Sequence, residues 1–192
     1  MPAAIRTVPE RNGFMEFFEM VERRRSVRSF TDEPVGKEEV TAILKAALSA
    51  PSSKNTRSSS FMVVEEPGLI ERIAGMRDYG SAFAAKAPLL ILVLGDAERS
   101  DLWEVNAAIS ATYVQLAAEA LGLGNCWVHV AGRPQRREEP EGPTAEEYLR
   151  GFLPVPAGRR ILCAVAIGHA AAPAGTRRES TSDGDDRVIT LR

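Results

Sequence analysis

Residues Leu89–Gly95 read Leu-Leu-Ile-Leu-Val-Leu-Gly and follow Pro88, so this stretch is apolar at every position before the glycine. A strand with water on one face alternates apolar and polar side chains, whereas an unbroken apolar run is expected of a strand covered on both faces. The run therefore predicts a central strand with other elements packed on both of its sides.

Helices and further strands are predicted on either side of this run. Strands are predicted over 61–64, 125–130 and 161–167, and Val188–Leu191 could add one more. Apolar residues at helical spacing predict helices that include Phe14 to Val21, 37–49, 69–76, 105–121 and 144–152. Helix 105–121 is apolar nearly all round, which predicts a place in the middle of the molecule or at a subunit contact.

The composition is that of a globular protein. The chain has 192 residues, 44% of them hydrophobic and 26% charged, with a net charge of −2. This length predicts a single domain over 1–192, with arms at 1–12 and 170–192. No apolar run approaches the roughly 20 residues of a membrane helix, and no signal-peptide core is evident. Cys126 and Cys163 lie in apolar runs, which predicts reduced thiols and a cytoplasmic location.

The stretch Arg23–Phe30, Arg-Arg-Arg-Ser-Val-Arg-Ser-Phe, concentrates four guanidiniums in a mildly acidic chain. Arginine presents a planar fork of donors that suits phosphate oxygens. Because no long basic field surrounds the cluster, it favours a small phosphorylated ligand over nucleic acid. The alternative is that these arginines end a helix, offset its dipole and stay solvated.

Four motifs in order resemble the nitroreductase family of FMN-dependent oxidoreductases over nearly the whole length. The first is Arg24–Phe30, and the second is Ala-Pro-Ser-Ser-Lys-Asn at 50–55. The third is the alanine-rich helix that runs into Leu-Gly-Leu-Gly-Asn-Cys-Trp at 121–127. The fourth is the late strand that ends in Gly168, followed by an arm with basic residues.

The resemblance implies an α+β, three-layer α-β-α fold whose central mixed sheet is flanked by helices. It also implies an intertwined homodimer that shares two tightly bound FMN molecules between its subunits, with NAD(P)H as co-substrate. Hydride would pass by way of the flavin N5 to a nitro, quinone or similar electron-poor acceptor in a ping-pong sequence, without a protein nucleophile and without a metal.

The resemblance also implies the cofactor-binding residues. The first motif would hold the phosphate and ribityl chain, and Arg28 would act catalytically by stabilising negative charge on the reduced ring. The partner's second motif would cover the ring, and backbone groups after the third would lie near N5. Trp127 itself is expected in the core more than at the cofactor, and His129 and His169 are expected to be structural or surface residues. The implied residues are Arg24, Arg25, Ser26, Arg28, Pro51, Ser52, Ser53, Asn55, Cys126, Trp127, Val128, and Arg177 or Arg178 from the C-terminal arm.

Two departures from the family pattern bear on the electron acceptor and the substrate, and two alternatives stay open beside the main interpretation. Arg57-Ser58-Ser59 stands where the family has Gln-Pro-Trp, so an aromatic side chain is missing, and the 132–147 stretch leaves little room for inserted lid helices. One alternative is a specialised flavin enzyme of the same fold, such as a dehalogenase or a flavin-fragmenting enzyme. Another is a flavin-binding module without catalytic activity.

Overall fold

The computed structural model describes residues 17–172 and Ile189. Five helices and four strands form within them, joined by two short 3₁₀ turns. In chain order they are α1 (Phe17–Arg23), α2 (Lys37–Leu48), β1 (Ser59–Val64), α3 (Pro67–Ala74), β2 (Leu89–Asp96), α4 (Trp103–Ala120), β3 (Gly124–His129), α5 (Ala145–Arg150) and β4 (Arg159–Gly168). Four predicted features lie wholly or mostly outside the described residues. They are Phe14, the 1–12 arm, most of the 170–192 arm and the strand at Val188–Leu191, of which only Ile189 is described.

The four strands form one sheet in the order β1-β2-β4-β3. All three strand pairs run antiparallel, with Leu92 of β2 opposite Ala164 of β4. Within residues 17–172, parallel pairing occurs only at the isolated bridge between Ser26 and Asn125. The mixed character expected of the sheet is therefore confined to this bridge.

Helices cover both faces of the sheet, which confirms the three-layer arrangement. On one face, Ile70 and Ile73 of α3 and Leu149 of α5 pack against side chains such as Leu92 of β2. On the other face, α2 and α4 contribute Ile43, Ala111 and Val114 to a second core. Because β2 and β4 lie inside the sheet between these layers, their side chains are almost all buried, as the apolar runs predicted.

Helix α4 packs on the sheet with one face only. Ala107, Ala111 and Val114 are fully buried, whereas Val105 is 52% exposed and Tyr113 36% exposed. The apolar pattern allowed a place in the middle of the molecule or a place at a subunit contact. Because one side of α4 is exposed in the single chain, the subunit contact is the placement that remains. Among helices in the described part of the chain, none is long and apolar enough to cross a membrane.

Helix ends follow the local sequence closely. Gly122 adopts φ 77° at the end of α4, and Leu123 N–H donates to the carbonyl of Ala118 at 2.9 Å, so Gly122 ends the helix as its lack of a side chain predicts. Thr-Ala-Glu-Glu at 144–147 predicts a capping box. The structure confirms it, since Thr144 Oγ1 accepts from Glu147 N–H and the Glu147 carboxylate accepts from Thr144 N–H.

Candidate functional site

The arginine-rich segment that follows α1 lies against the edge of the sheet. Val27 N–H donates to the carbonyl of Asn125 in β3 at 2.9 Å. Four residues further on, Thr31 N–H donates to the carbonyl of His169 just after β4 at 2.9 Å. The first, third and fourth sequence motifs therefore meet in one place, although more than 90 residues separate the first from the third.

Two motif glycines make this meeting possible. A Cβ atom on Gly124 would lie 2.8 Å from Cγ1 of Val27, and one on Gly168 would lie 3.1 Å from the Phe30 ring and 2.5 Å from Pro88. These distances are too short for any side chain, so the strands must carry glycine where the segment docks. The sequence predicts that Gly122 and Gly124 together end the helix before them. The structure places Gly124 within β3 instead, where it provides room for Val27.

The charged side chains of this segment differ in their partners. The guanidinium of Arg25 donates to the carbonyls of Glu22 and Arg24, so it caps the end of α1. Arg28 is exposed and donates weakly to the carbonyl of Ser26 at 3.4 Å, with its Cζ 5.7 Å from the Phe83 ring centroid. The Arg24 side chain is half-buried and makes no guanidinium hydrogen bond or ion pair among the described residues.

Two neighbouring groups have altered acidity. Burial raises the pKa of Glu119 near the end of α4, although the cations Arg23, Arg24 and Arg25 act in the opposite direction. Burial also raises the pKa of the Cys126 thiol, against the smaller opposing effects of Arg28 and a hydrogen bond with Ser26. A buried thiol with a raised pKa is a poor nucleophile, in keeping with the expectation that no protein nucleophile acts here.

The second motif forms a loop with an unusual backbone. Lys54, Asn55 and Arg57 adopt φ values of 51°, 52° and 47°, in the left-handed region that residues with a side chain rarely occupy. Pro51, Lys54, Asn55 and Arg57 are exposed, while Ser52 and Ser53 are half-buried. The loop therefore presents polar groups outward from a backbone that needs support from elsewhere.

That support comes from Asn106 of α4, which is 1% exposed. Its Oδ1 accepts from Ser53 N–H at 2.9 Å, and its Nδ2 donates to the hydroxyls of Ser58 at 2.9 Å and Ser100 at 3.1 Å, with Thr56 at 3.3 Å. Sequence reasoning missed this residue. Its signal was present, since an asparagine in an apolar helix must find hydrogen-bond partners once buried.

The loop and the arginine-rich segment contact opposite ends of α4. Asn106, near the start of the helix, holds the loop, whereas Glu119, near its end, lies beside the arginines. At 1.5 Å per residue these two positions are roughly 20 Å apart along the helix. One chain therefore does not bring Ser52, Ser53 and Asn55 to Arg24 and Ser26.

Strand β3 borders the arginine-rich segment with its own side chains. Val128 is buried, and the half-buried Trp127 packs against the core beneath α4. Trp127 Nε1–H donates to Nδ1 of His129 at 3.3 Å, and the two rings stack. Burial, together with nearby Arg133 and Arg77, lowers the pKa of His129, so that its imidazole is neutral at pH 7.

Two expected residues cannot be placed, because Arg177 and Arg178 lie outside the described residues. Within 17–172, no group of three or more His, Cys, Asp or Glu side chains is arranged to hold a metal ion.

Comparison with known proteins identifies what this chain is similar to. A family model described as "Nitroreductase family" matches residues 21–76 and 71–169. A solved structure of an FMN-dependent nitroreductase from Clostridium difficile R20291 is 35% identical, with a TM-score of 0.81, covering 91% of this chain and 98% of the other.

Two curated relatives point the same way. A protein of Methanothermobacter thermautotrophicus named "Putative NADH dehydrogenase/NAD(P)H nitroreductase" is 30% identical over 85% of this chain and 82% of its own length. A protein of Bacillus subtilis named "FMN reductase [NAD(P)H]" is 32% identical over 58% of this chain and 53% of its own length.

Proposed function

The chain belongs to the nitroreductase family, and from this premise we propose that it is an FMN-dependent oxidoreductase that takes electrons from NAD(P)H. FMN and NAD(P)H, both implied by the sequence motifs, agree with the names of the Clostridium and Bacillus relatives. The observation that carries the proposal is the docking of the Arg24–Phe30 segment on β3, which unites three motifs at one edge of the sheet.

The residues present there fit a phosphorylated flavin. The half-buried Arg24 guanidinium makes no hydrogen bond within the described chain, and the Ser26 hydroxyl is exposed beside it. A phosphate accepts several charge-assisted hydrogen bonds, which suits an otherwise unpartnered guanidinium. Arg24 and Ser26 would therefore bind the phosphate and ribityl chain. Arg25, which already donates to two carbonyls, would shape the turn beside them.

Arg28 and strand β3 would border the flavin ring. An exposed cation with one weak hydrogen bond can face a ligand at little cost in lost contacts. We assign Arg28 to the pyrimidine edge, where a positive charge favours the reduced ring electrostatically. Backbone groups of Cys126, Trp127 and Val128 would lie on the N5 side, with the Trp127 side chain in the core.

The separation along α4 supports a site that is shared between the two subunits of a homodimer. Pro51, Ser52, Ser53 and Asn55 are held at the opposite end of the helix from Arg24, so we propose that the partner's copy of this loop covers the flavin. The exposed apolar side chains Phe17, Phe18 and Val105 supply a surface for such a contact. The dimer would be obligate, with two FMN molecules.

The chemistry that FMN supplies when bound is hydride transfer at N5, with NAD(P)H as donor and a nitro compound, quinone or similar electron-poor molecule as acceptor, in a ping-pong sequence. The chain itself would orient the cofactor, with the Arg28 side chain beside the ring and the packed strand β3 along it. The buried, protonated Cys126 thiol takes no covalent part.

The decisive experiment is the absorption spectrum of the purified protein, followed by steady-state turnover of NAD(P)H with menadione or a nitroaromatic. We expect one bound oxidised flavin per chain and sustained turnover of NAD(P)H. The double-reciprocal plots should be parallel, as a ping-pong sequence requires. Flavin without turnover would instead identify a binding module, and protein that neither contains nor takes up FMN would refute the proposal.

Two buried reduced cysteines support a cytoplasmic location as part of the same proposal.

A further inference from the structure

Three arginines near the end of β3 lack acidic partners. The salt bridges within 17–172 involve neither Arg77, Arg133 nor Arg137. Arg77 is half-buried, and its Nε is the one buried side-chain nitrogen or oxygen in the described residues that has no hydrogen-bond partner. Buried donors are nearly always satisfied in native proteins, so a missing partner points to a group that the described residues do not supply.

The cluster is built by two loops that hydrogen-bond to each other. Asp78 N–H donates to the carbonyl of Gln135 at 2.9 Å, and Arg137 N–H donates to Asp78 Oδ1 at 3.1 Å. The Tyr79 ring contacts two of the arginines, since Cζ of Arg77 is 4.9 Å and Cζ of Arg137 is 5.0 Å from its centroid. Stacking on a ring fixes a guanidinium while leaving its N–H edges free for an anion.

The cluster lies next to the proposed flavin site. Arg77 and Arg133 are near enough to His129, the last residue of β3, to help lower its pKa. The segment that carries Arg77 continues to Phe83, whose ring centroid is 5.7 Å from Cζ of Arg28. A ligand that extends from the proposed flavin site along β3 toward His129 would therefore approach these arginines.

We propose that Arg77, Arg133 and Arg137 bind a phosphate group of the nicotinamide dinucleotide that donates the hydride. The inference rests on the proposed function and adds to it a place for the donor's charged end. The Asp78 carboxylate accepts from the backbone N–H of Arg137, and no salt bridge within 17–172 joins it to the three guanidiniums, which repel one another. A phosphate would relieve that repulsion while accepting their N–H groups. The phosphate is either the 2′-phosphate, present in NADPH alone, or the pyrophosphate, present in both NADPH and NADH.

The test compares Arg77→Gln and Arg137→Gln holoenzymes with Arg136→Gln as the matched control. Arg136 is the neighbour of Arg137, but it is paired with Glu139 at 3.0 Å, so its loss should leave donor binding unchanged. With menadione saturating, we expect the KM of the donor to rise roughly tenfold in the two cluster variants, as for a lost charge-assisted contact. The kcat and the FMN content should stay at the parent level.

The choice of donor separates the two phosphates. A rise in KM for NADPH but not for NADH assigns the cluster to the 2′-phosphate, and an equal rise for both assigns it to the pyrophosphate. An unchanged KM for both donors, or a loss of FMN without a change in KM, would overturn the proposal. Arg137 is exposed, so Arg137→Gln carries the test even if Arg77→Gln does not fold.

A second measurement separates this proposal from the proposed function. Titration calorimetry with 2′,5′-ADP and with ADP needs no turnover. We expect the parent and Arg136→Gln to bind at least one of these nucleotides, and Arg137→Gln to bind it more weakly. This result would support the cluster even in a protein without reductase activity. Binding of neither by the parent would contradict it, even in an active enzyme.

Discussion

The two segments that carry the candidate site are held in place by different means. The Ser26–Thr31 segment is fixed by its main chain, through hydrogen bonds to the carbonyls of Asn125 and His169 and through close packing on Gly124. The 52–58 loop has three left-handed residues and is held by the side chain of Asn106. Changes to the polar side chains in and just before the first segment should therefore alter binding and leave the fold intact, whereas one change beneath the second should alter both.

Replacing Asn106 should have the largest effect. Asn106→Ala leaves the half-buried Ser53 N–H without its acceptor and removes the donor to the buried Ser58 and Ser100 hydroxyls. At about 1–3 kcal/mol for each unsatisfied group, we expect the free energy of unfolding to fall by about 2–4 kcal/mol. Urea denaturation of the holoprotein measures the change.

Trypsin provides a local measurement of the same variant. Lys54 and Arg57 are both exposed cleavage sites in the loop, and faster cleavage there is expected once the left-handed backbone is released. Ser110→Ala is the matched control, since Ser110 is also buried in α4 but bonds to Ser59 outside the loop. Equal cleavage rates in Asn106→Ala and Ser110→Ala would show that Asn106 does not hold the loop.

Replacing Arg24 should test the opposite behaviour. Because its guanidinium has no partner within the described chain, Arg24→Ala should leave the stability of the flavin-free protein unchanged. A charge-assisted contact to phosphate is worth about 1.5–3 kcal/mol, so FMN affinity should fall roughly ten- to a hundredfold. Fluorescence titration with FMN measures the loss, and Arg23→Ala, which breaks only the exposed pair with Glu19, is the control. Full flavin content in purified Arg24→Ala would contradict the assignment.

The sequence predicted these two regions unequally for a physical reason. The strands were predictable because burial on both faces requires apolar runs such as Leu89–Leu94, and the helix ends because Gly122 and the Thr144 capping box act within a few residues. Asn106 and Arg77 could not be found in this way, because their roles depend on partners such as Ser53 and Tyr79 and on the burial that the fold creates. The site residues themselves came from motif resemblance, and their contacts with FMN stay predictions.

Gly124→Ala should show whether main-chain docking fixes the first segment. The added methyl group would lie 2.8 Å from Val27 Cγ1, and overpacking of this kind costs about 1–3 kcal/mol of stability. Combining Gly124→Ala with Val27→Ala should restore room for the added methyl group. The free energy of unfolding of the double variant should then exceed the value expected from adding the two single losses by on the order of 1 kcal/mol. Additive effects in the thermal denaturation of all three variants would show that the close approach does not matter.

The smallest expected effect concerns Arg28, which should tune the cofactor more than hold it. Its side chain is exposed and makes one weak hydrogen bond, to the Ser26 carbonyl, so the fold does not depend on it. A fixed cation beside the ring acts mainly on the reduced, more negative flavin. Arg28→Gln should therefore lower the flavin midpoint potential by roughly 30 mV, which corresponds to about 1.4 kcal/mol for a two-electron couple.

The rate of the NAD(P)H half-reaction and the affinity for FMN complete the comparison of Arg28 with Arg24. The NAD(P)H half-reaction of Arg28→Gln should slow, while FMN affinity falls less than in Arg24→Ala, and Arg28→Lys should recover most of the potential because it keeps the charge. Potentiometric titration with a reference dye and stopped-flow reduction measure both quantities. If the potential of Arg28→Gln equalled that of the parent and only FMN affinity fell, Arg28 would be a further phosphate ligand. The arginine-rich segment would then serve binding alone, with no electrostatic control of the flavin.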